Sequence, residues 1–204
     1  MDFLLTEEQK AMQEMAKNFA EKKIAPTMEE DEKEHKFRRE IVKEMARLGF
    51  FGCIAPEKYG GNESGYLAAS VMTEEVARVS PSWGLPFNLQ MNSIQSVLLA
   101  FGTEQQRERW IPKLINADLL GCFAITEPEH GSDWWLLEMK YSMDAKSAPS
   151  LRAVLDGEEY VINGQKSSWI SNGTIATHAL LFICVDPSAG MYGGCGIAVI
   201  PLNY

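Results

Sequence analysis

From Thr6 to about Ala117 the apolar side chains recur at intervals of three and four, the period of helices that bury one stripe. Met12, Met15, Ala16, Phe19 and Ala20 form the first stripe. Thr6 and Gln9 stand at the spacing of a capping box, and acids follow in the first turn, where the helix dipole favours them. Pro26 is expected to close that helix. Phe37, Ile41, Met45 and Leu48 make a second stripe that stops at Gly49, and Ala68 to Val79 carries a third on Val71, Val76 and Val79. Ile94, Val97, Leu98 and Phe101 end a fourth at Gly102. Thr103 with Gln106 opens a fifth, which Pro112 interrupts or restarts.

Beyond Asp118 the character changes. Leu119–Thr126, Leu151–Asp156, Glu159–Ile162, Gln165–Ser171, Thr177–Val185 and Gly196–Leu202 are rich in Val, Ile, Phe, Trp and Thr and are separated by turn residues, which predicts strands. Asn163-Gly164 and Asn172-Gly173 are turn signals, the first typical of a tight hairpin. Closely spaced strands without helices between them predict an antiparallel barrel or sandwich. The fold class expected is therefore α+β, with an all-helical domain over residues 1–117 and a β-domain over 118–204. The last predicted strand runs to Tyr204 with no closing turn, so the β-architecture is expected to be incomplete as it stands.

Charge and cysteine usage narrow the function classes. The 204 residues include 19 basic and 28 acidic side chains, a net charge of -9, which repels phosphate backbones and anionic lipid and argues against nucleic-acid and membrane partners. Cys53, Cys122, Cys184 and Cys195 stand singly in apolar surroundings, which gives no zinc spacing and suits core thiols in a reducing compartment; on sequence alone a disulfide stays open. Asp2, Glu7 and Glu8 replace the basic start of a signal peptide, and no apolar run approaches the roughly 20 residues that span a bilayer. A soluble cytoplasmic protein is expected.

Two stretches carry chemistry. In Phe123-Ala124-Ile125-Thr126-Glu127-Pro128-Glu129-His130-Gly131-Ser132-Asp133 a strand ends in a turn flanked by two short hydroxyls, a rim able to meet the polar edge of a planar heteroaromatic ligand. Gly131 permits close backbone approach and Ser132 can donate or accept. A plain capped turn would use the same residue types. In Asn163-Gly164-Gln165-Lys166-Ser167-Ser168-Trp169-Ile170-Ser171-Asn172-Gly173 two turns bracket an expected strand, on which Trp169 and Ser171 would share a face. An indole beside a hydroxyl suits a flat ring; a core tryptophan in a hairpin is the simpler alternative.

Together, and in this order after a helical domain, the two stretches resemble the acyl-CoA dehydrogenase family. Its middle β-domain carries a Thr-Glu-x-x-x-Gly-Ser-Asp segment and a later Lys-x-Trp-Ile-Thr-Asn segment. Upstream, Pro56-Glu57-Lys58-Tyr59-Gly60-Gly61, Glu74-Glu75-Val76-Ala77, Phe101-Gly102-Thr103-Glu104-Gln105-Gln106 and Trp110-Ile111-Pro112-Lys113-Leu114 are similar to that family's helical domain, so the resemblance spans almost the whole chain. It implies FAD as cofactor, with Phe123, Ile125, Thr126, Gly131, Ser132, Trp169, Ile170 and Ser171 as its contacts. Ser132 would also touch the CoA portion of an acyl-CoA substrate, and Ser171 stands where the family has threonine. The implied reaction is α,β-dehydrogenation of the thioester, with electron-transfer flavoprotein or a similar acceptor as partner and an oligomer as the complete enzyme. No catalytic residue is assigned: the family's glutamate base belongs to a C-terminal helical domain, and Glu127 is a turn residue of the motif.

The sequence departs from the pattern at three places. His130 replaces a small residue, Trp134-Trp135-Leu136-Leu137 follows Asp133, and one extra residue separates Lys166 from Trp169, an expected bulge that would re-aim a side chain. Glu138 to Ser150 is expected to form a surface loop near the substrate entrance, and the glycines at 190, 193, 194 and 196 to form a hairpin connection. Rival readings are an acyl-CoA oxidase, a non-catalytic subunit that completes a flavin site on another chain, and an inactive fragment.

Overall fold

The structure, a computed structural model, describes residues 4–132 and 145–202. It divides into two compact units, Met1–Gly121 and Cys122–Tyr204. The first is helical: α1 (Glu7–Phe19), α2 (Met28–Glu34), α3 (Arg39–Arg47), α4 (Gly65–Val79), α5 (Pro81–Asn88), α6 (Ser96–Phe101) and α7 (Glu104–Ile115).

Local sequence sets several of the helix ends. The predicted capping box of Thr6 with Gln9 forms at α1, and Thr103 with Gln106, the expected start of α7, forms a second. Gly49 takes the left-handed conformation after α3, with φ +80°. Pro26 does not end the first helical run, which passes through a wide turn (Ala20–Ile24) and a tight one (Ala25–Thr27) before α2. Pro112 lies inside α7 without breaking it.

The core of this unit gathers Phe19, Ile24, Met45, Phe50, Phe51, Met72, Trp83 and Phe87, among others. Met12 and Met15 pack at its margin, whereas Leu48 and Phe101 of the predicted stripes are exposed. α5 was not legible in the pattern, because Pro81, Gly84 and Pro86 read as breakers. Pro81 sits at the first turn, where no amide hydrogen bond is lost, and Gly84 lies so close to α4 that a Cβ there would be 2.5 Å from the Ala77 Cβ. Buried Trp83 and Phe87 hold the helix in place. The buried amide of Gln90 ties this unit to its own last residues: its Nε2 donates to the carbonyls of Leu114 (3.0 Å) and Leu119 (2.6 Å), and its Oε1 accepts from the Gly121 amide (3.2 Å).

The second unit holds one mixed, unclosed sheet of five strands among the described residues: β1 (Gly121–Ala124), β2 (Arg152–Asp156), β3 (Glu159–Asn163), β4 (His178–Cys184) and β5 (Cys195–Pro201). β4 pairs antiparallel with β5 along its length, from His178↔Pro201 to Cys184↔Cys195. β2 and β3 form an antiparallel hairpin, and the two pairs meet at a parallel contact between Arg152 and Cys184, so the pairing is not wholly antiparallel. The α+β class and the open sheet are as expected. A 3-10 turn (Pro187–Ala189) and a short helix α8 (Gly190–Gly194) make the glycine-rich connection from β4 to β5.

One predicted strand is absent. Gln165–Ser171 joins no sheet, and Asn163-Gly164 does not turn into a tight hairpin. The tight hairpin is instead at Asp156-Gly157-Glu158-Glu159, where Gly157 has φ +64° and Asp156 pairs with Glu159. Gly164 serves a different purpose: it has φ +144°, and a Cβ there would stand 2.6 Å from the Leu151 Cα. The chain after it is drawn toward the end of β1 rather than to a neighbouring strand.

Candidate functional site

β1 alternates. Cys122 and Ala124 are buried, packing with Ala176 and Ala179 and with Leu151, Ala153 and Leu181 respectively, while Phe123 and Ile125 are half-buried and share the opposite face. Past the strand, Glu127 and His130 exchange main-chain hydrogen bonds (2.9 and 3.3 Å), which closes the turn predicted there. That turn brings Gly131 beside Thr126. Ser132 is exposed; Asp133 and Trp134 to Leu137 lie outside the described residues, as does Glu138 to Asp144 of the expected entrance loop.

The two motif segments are joined directly. The Ser167 amide donates to the Thr126 carbonyl (2.9 Å), and the Lys166 Nζ donates to the Ile125 carbonyl (2.9 Å). Lys166 also meets Glu127 Oε1 at 2.9 Å, and Glu127 accepts from the main-chain amides of Ser150 (2.5 Å) and Leu151 (3.1 Å). Glu127 is wholly enclosed and the Lys166 side chain nearly so (0% and 6% exposed). Burial holds the Lys166 ammonium below the usual lysine range, against the opposing pull of Glu127. Neither lysine nor glutamate carried a signal of this pairing in the sequence, because they are 39 residues apart and lie on irregular backbone.

Because Gln165–Ser171 is not a strand, the expectation that Trp169 and Ser171 share a sheet face does not hold; their directions follow the loop. Lys166 and Ser167 are fixed to the end of β1, and Ser168 just after them is exposed. The Trp169 indole is 77% exposed, so it is not the core tryptophan of a hairpin. Ile170 points the other way: it packs against both apolar clusters of the sheet. Ser171 is half-buried, and Asn172 takes a left-handed conformation (φ +67°), its carbonyl capping the amides of Ile175 and Ala176.

A cleft of about 390 Å³ opens on the Cys122–Ala124 side of β1, between Lys166, Ser167 and Thr174 on one hand and Leu181, Ile200 and Leu202 on the other. Of the residues assigned to the cofactor, Ile170 alone lines it. The Ser167 hydroxyl is buried there without a hydrogen-bond partner among the described residues. The cleft and the Phe123–Ile125 face are therefore two different surfaces of the sheet.

A family model described as "Acyl-CoA dehydrogenase, N-terminal domain" matches residues 6–118, and one described as "Acyl-CoA dehydrogenase, middle domain" matches residues 122–203. The chain belongs to the acyl-CoA dehydrogenase family. Glutaryl-CoA dehydrogenase of Desulfococcus multivorans is 35% identical over 207 residues, an alignment that takes in 100% of this chain and 50% of that protein. Among solved structures, the glutaryl-coenzyme A dehydrogenase–glutaryl-CoA complex superimposes with a TM-score of 0.86 at 36% identity, covering 98% of this chain and 48% of the other. A chain from the structure of the electron transferring flavoprotein of Acidaminococcus fermentans gives 0.88 at 33% identity, covering 99% and 50%. This acyl-CoA dehydrogenase family member thus spans about half the length of the relatives it matches.

Among the described residues no group of three His, Cys, Asp or Glu is placed to hold a metal, and no helix is long and apolar enough to cross a membrane. The four cysteines are free thiols. Burial pushes Cys53 up to about 11 and Cys195 up to about 12, so both are poor nucleophiles.

Proposed function

We propose that this chain supplies the flavin platform and part of the substrate wall of an FAD-dependent acyl-CoA dehydrogenase. The observation that carries the reading is the junction of the two motif segments through Ser167 with Thr126 and Lys166 with Ile125. It gathers the Phe123–Ile125 face, the Thr126 hydroxyl and the loop bearing Trp169 into one part of the β-unit. The residues fit a flat heteroaromatic ring. Phe123 and Ile125 give an apolar surface, Thr126 and Ser171 give hydroxyls, and the exposed indole of Trp169 gives an aromatic wall. Gly131 leaves room for a ligand beside Thr126, and exposed Ser132 is accessible to the CoA portion.

FAD, when bound, would supply the two-electron acceptor for oxidation of the α,β bond. This chain's residues orient the ring and shield one side of it from water; electron-transfer flavoprotein or a similar acceptor would take the electrons onward, and the working enzyme would be an oligomer. Glu127 does not remove the substrate's α-proton: both carboxylate oxygens are engaged and no surface of the side chain is open. Proton abstraction belongs to a carboxylate outside the two motifs.

The test is an absorbance titration of the purified 204-residue protein with FAD and then with an acyl-CoA. Flavin uptake without bleaching by substrate is expected. A protein that takes up no FAD would remove the platform reading, and rapid bleaching would place a base within this sequence.

A further inference from the structure

Enclosing two opposite charges is expensive, and their attraction offsets that cost only when the remaining lone pairs and protons are also satisfied. The Glu127–Lys166 pair meets the condition through main-chain groups: Glu127 takes the Ser150 and Leu151 amides, and Lys166 gives a second hydrogen bond to the Ile125 carbonyl. Three chain segments are thereby held at one point, namely the exit of β1, the approach to β2 and the stretch that follows β3. An apolar pair of similar volume would fill the same space, yet it could not fix the direction of any of these segments, since apolar contact has no preferred angle.

The segments so held are those that carry the ring-facing groups. Ile125 and Thr126 flank one contact, and Trp169 lies three residues beyond the other on backbone that no strand supports. Irregular loops hold a site to within a fraction of an ångström only when supporting side chains lock them.

We propose that Glu127 and Lys166 are positioning residues that set the aim of Thr126 and Trp169 toward the bound flavin. This rests on the flavin reading above and deepens it. Neither side chain touches the ring; both act through the backbone they anchor.

The experiment uses the whole chain and three variants, Glu127→Gln, Lys166→Met and the two combined, with FAD affinity followed by flavin fluorescence and folding by thermal melts without FAD. Each single change strands a buried group and lowers both stability and affinity. The double change removes both charges but still leaves one main-chain amide and the Ile125 carbonyl unsatisfied, so it regains part of the melting temperature lost by the single variants while FAD binding stays at least about tenfold weaker than in the wild type. A double variant that recovers FAD affinity along with stability would show that the pair is only structural. Amide exchange on the unaltered protein gives a second reading should the variants not fold: adding FAD slows exchange at Ser150, Leu151 and Ser167 if the anchor and the ring are coupled, and unchanged rates at all three sink the proposal. A wild-type protein that binds no FAD would defeat the flavin reading itself, and this inference with it.

Discussion

A methyl group added at Gly131 would stand 3.6 Å from the Cγ2 of Thr126, an ordinary van der Waals contact on backbone of ordinary conformation. Among the described residues nothing requires a glycine here, whereas close approach of the proposed flavin would. Gly131→Ala should leave the melting temperature nearly unchanged while weakening FAD binding by about tenfold, equivalent to ~1.4 kcal/mol. Calorimetric titration beside a thermal melt checks it; equal FAD affinity in the two proteins would take Gly131 out of the site.

Trp169 offers the complementary case. An indole with three-quarters of its surface open contributes little to the core, so Trp169→Ala should alter stability by no more than about 0.5 kcal/mol. FAD should quench the tryptophan fluorescence of the wild type more strongly than that of the variant. A large loss of stability would instead mean that the indole packs within the protein.

Gly164 should behave in the opposite manner. Its φ of +144° and the 2.6 Å approach to the Leu151 Cα leave no room for a side chain, so Gly164→Ala combines backbone strain with a clash against main chain. A destabilisation of about 2 kcal/mol or more is expected in urea unfolding, from strain of ~1–3 kcal/mol and overpacking of similar size. A variant as stable as the parent would contradict the close approach of this loop to the start of β2.

Lys166 makes the stability depend on pH. Its folded value lies below the ordinary lysine value of about 10.4, chiefly because burial disfavours the ammonium. Between the two values the unfolded chain binds more protons, so stability rises with pH across that window. Below the folded value both states are protonated and the burial cost is fully present. The difference in unfolding free energy between wild type and Lys166→Met should thus shift in favour of the wild type as the pH rises toward the ordinary lysine value of about 10.4. A difference that is flat, or that moves the other way, would mean the ammonium is not desolvated.

The sequence by itself determined whatever depends on neighbours a few positions away. The capping boxes at Thr6 and Thr103, the left-handed stop at Gly49 and the helical stripe through Ala16 and Phe19 are short-range matters of hydrogen bonding and period, and the pattern located them. Five strands were legible for the same reason. The two motifs were legible as stretches that resemble the family, while each taken by itself was equally a plain turn or a hairpin tryptophan.

Only the tertiary structure decided what those residues rest on. Residue types and flanking turns made Gln165–Ser171 a strand, but a strand also needs partners for its main-chain groups, and here the Ser167 amide goes to the Thr126 carbonyl while the Lys166 side chain takes that of Ile125. In the same way α5 survives Pro81, Gly84 and Pro86 because Trp83 and Phe87 are buried against distant helices. The enclosure of Glu127 with Lys166 came from neither pattern nor propensity. Charge burial depends on what surrounds a group in three dimensions, and one-dimensional order carries no measure of that.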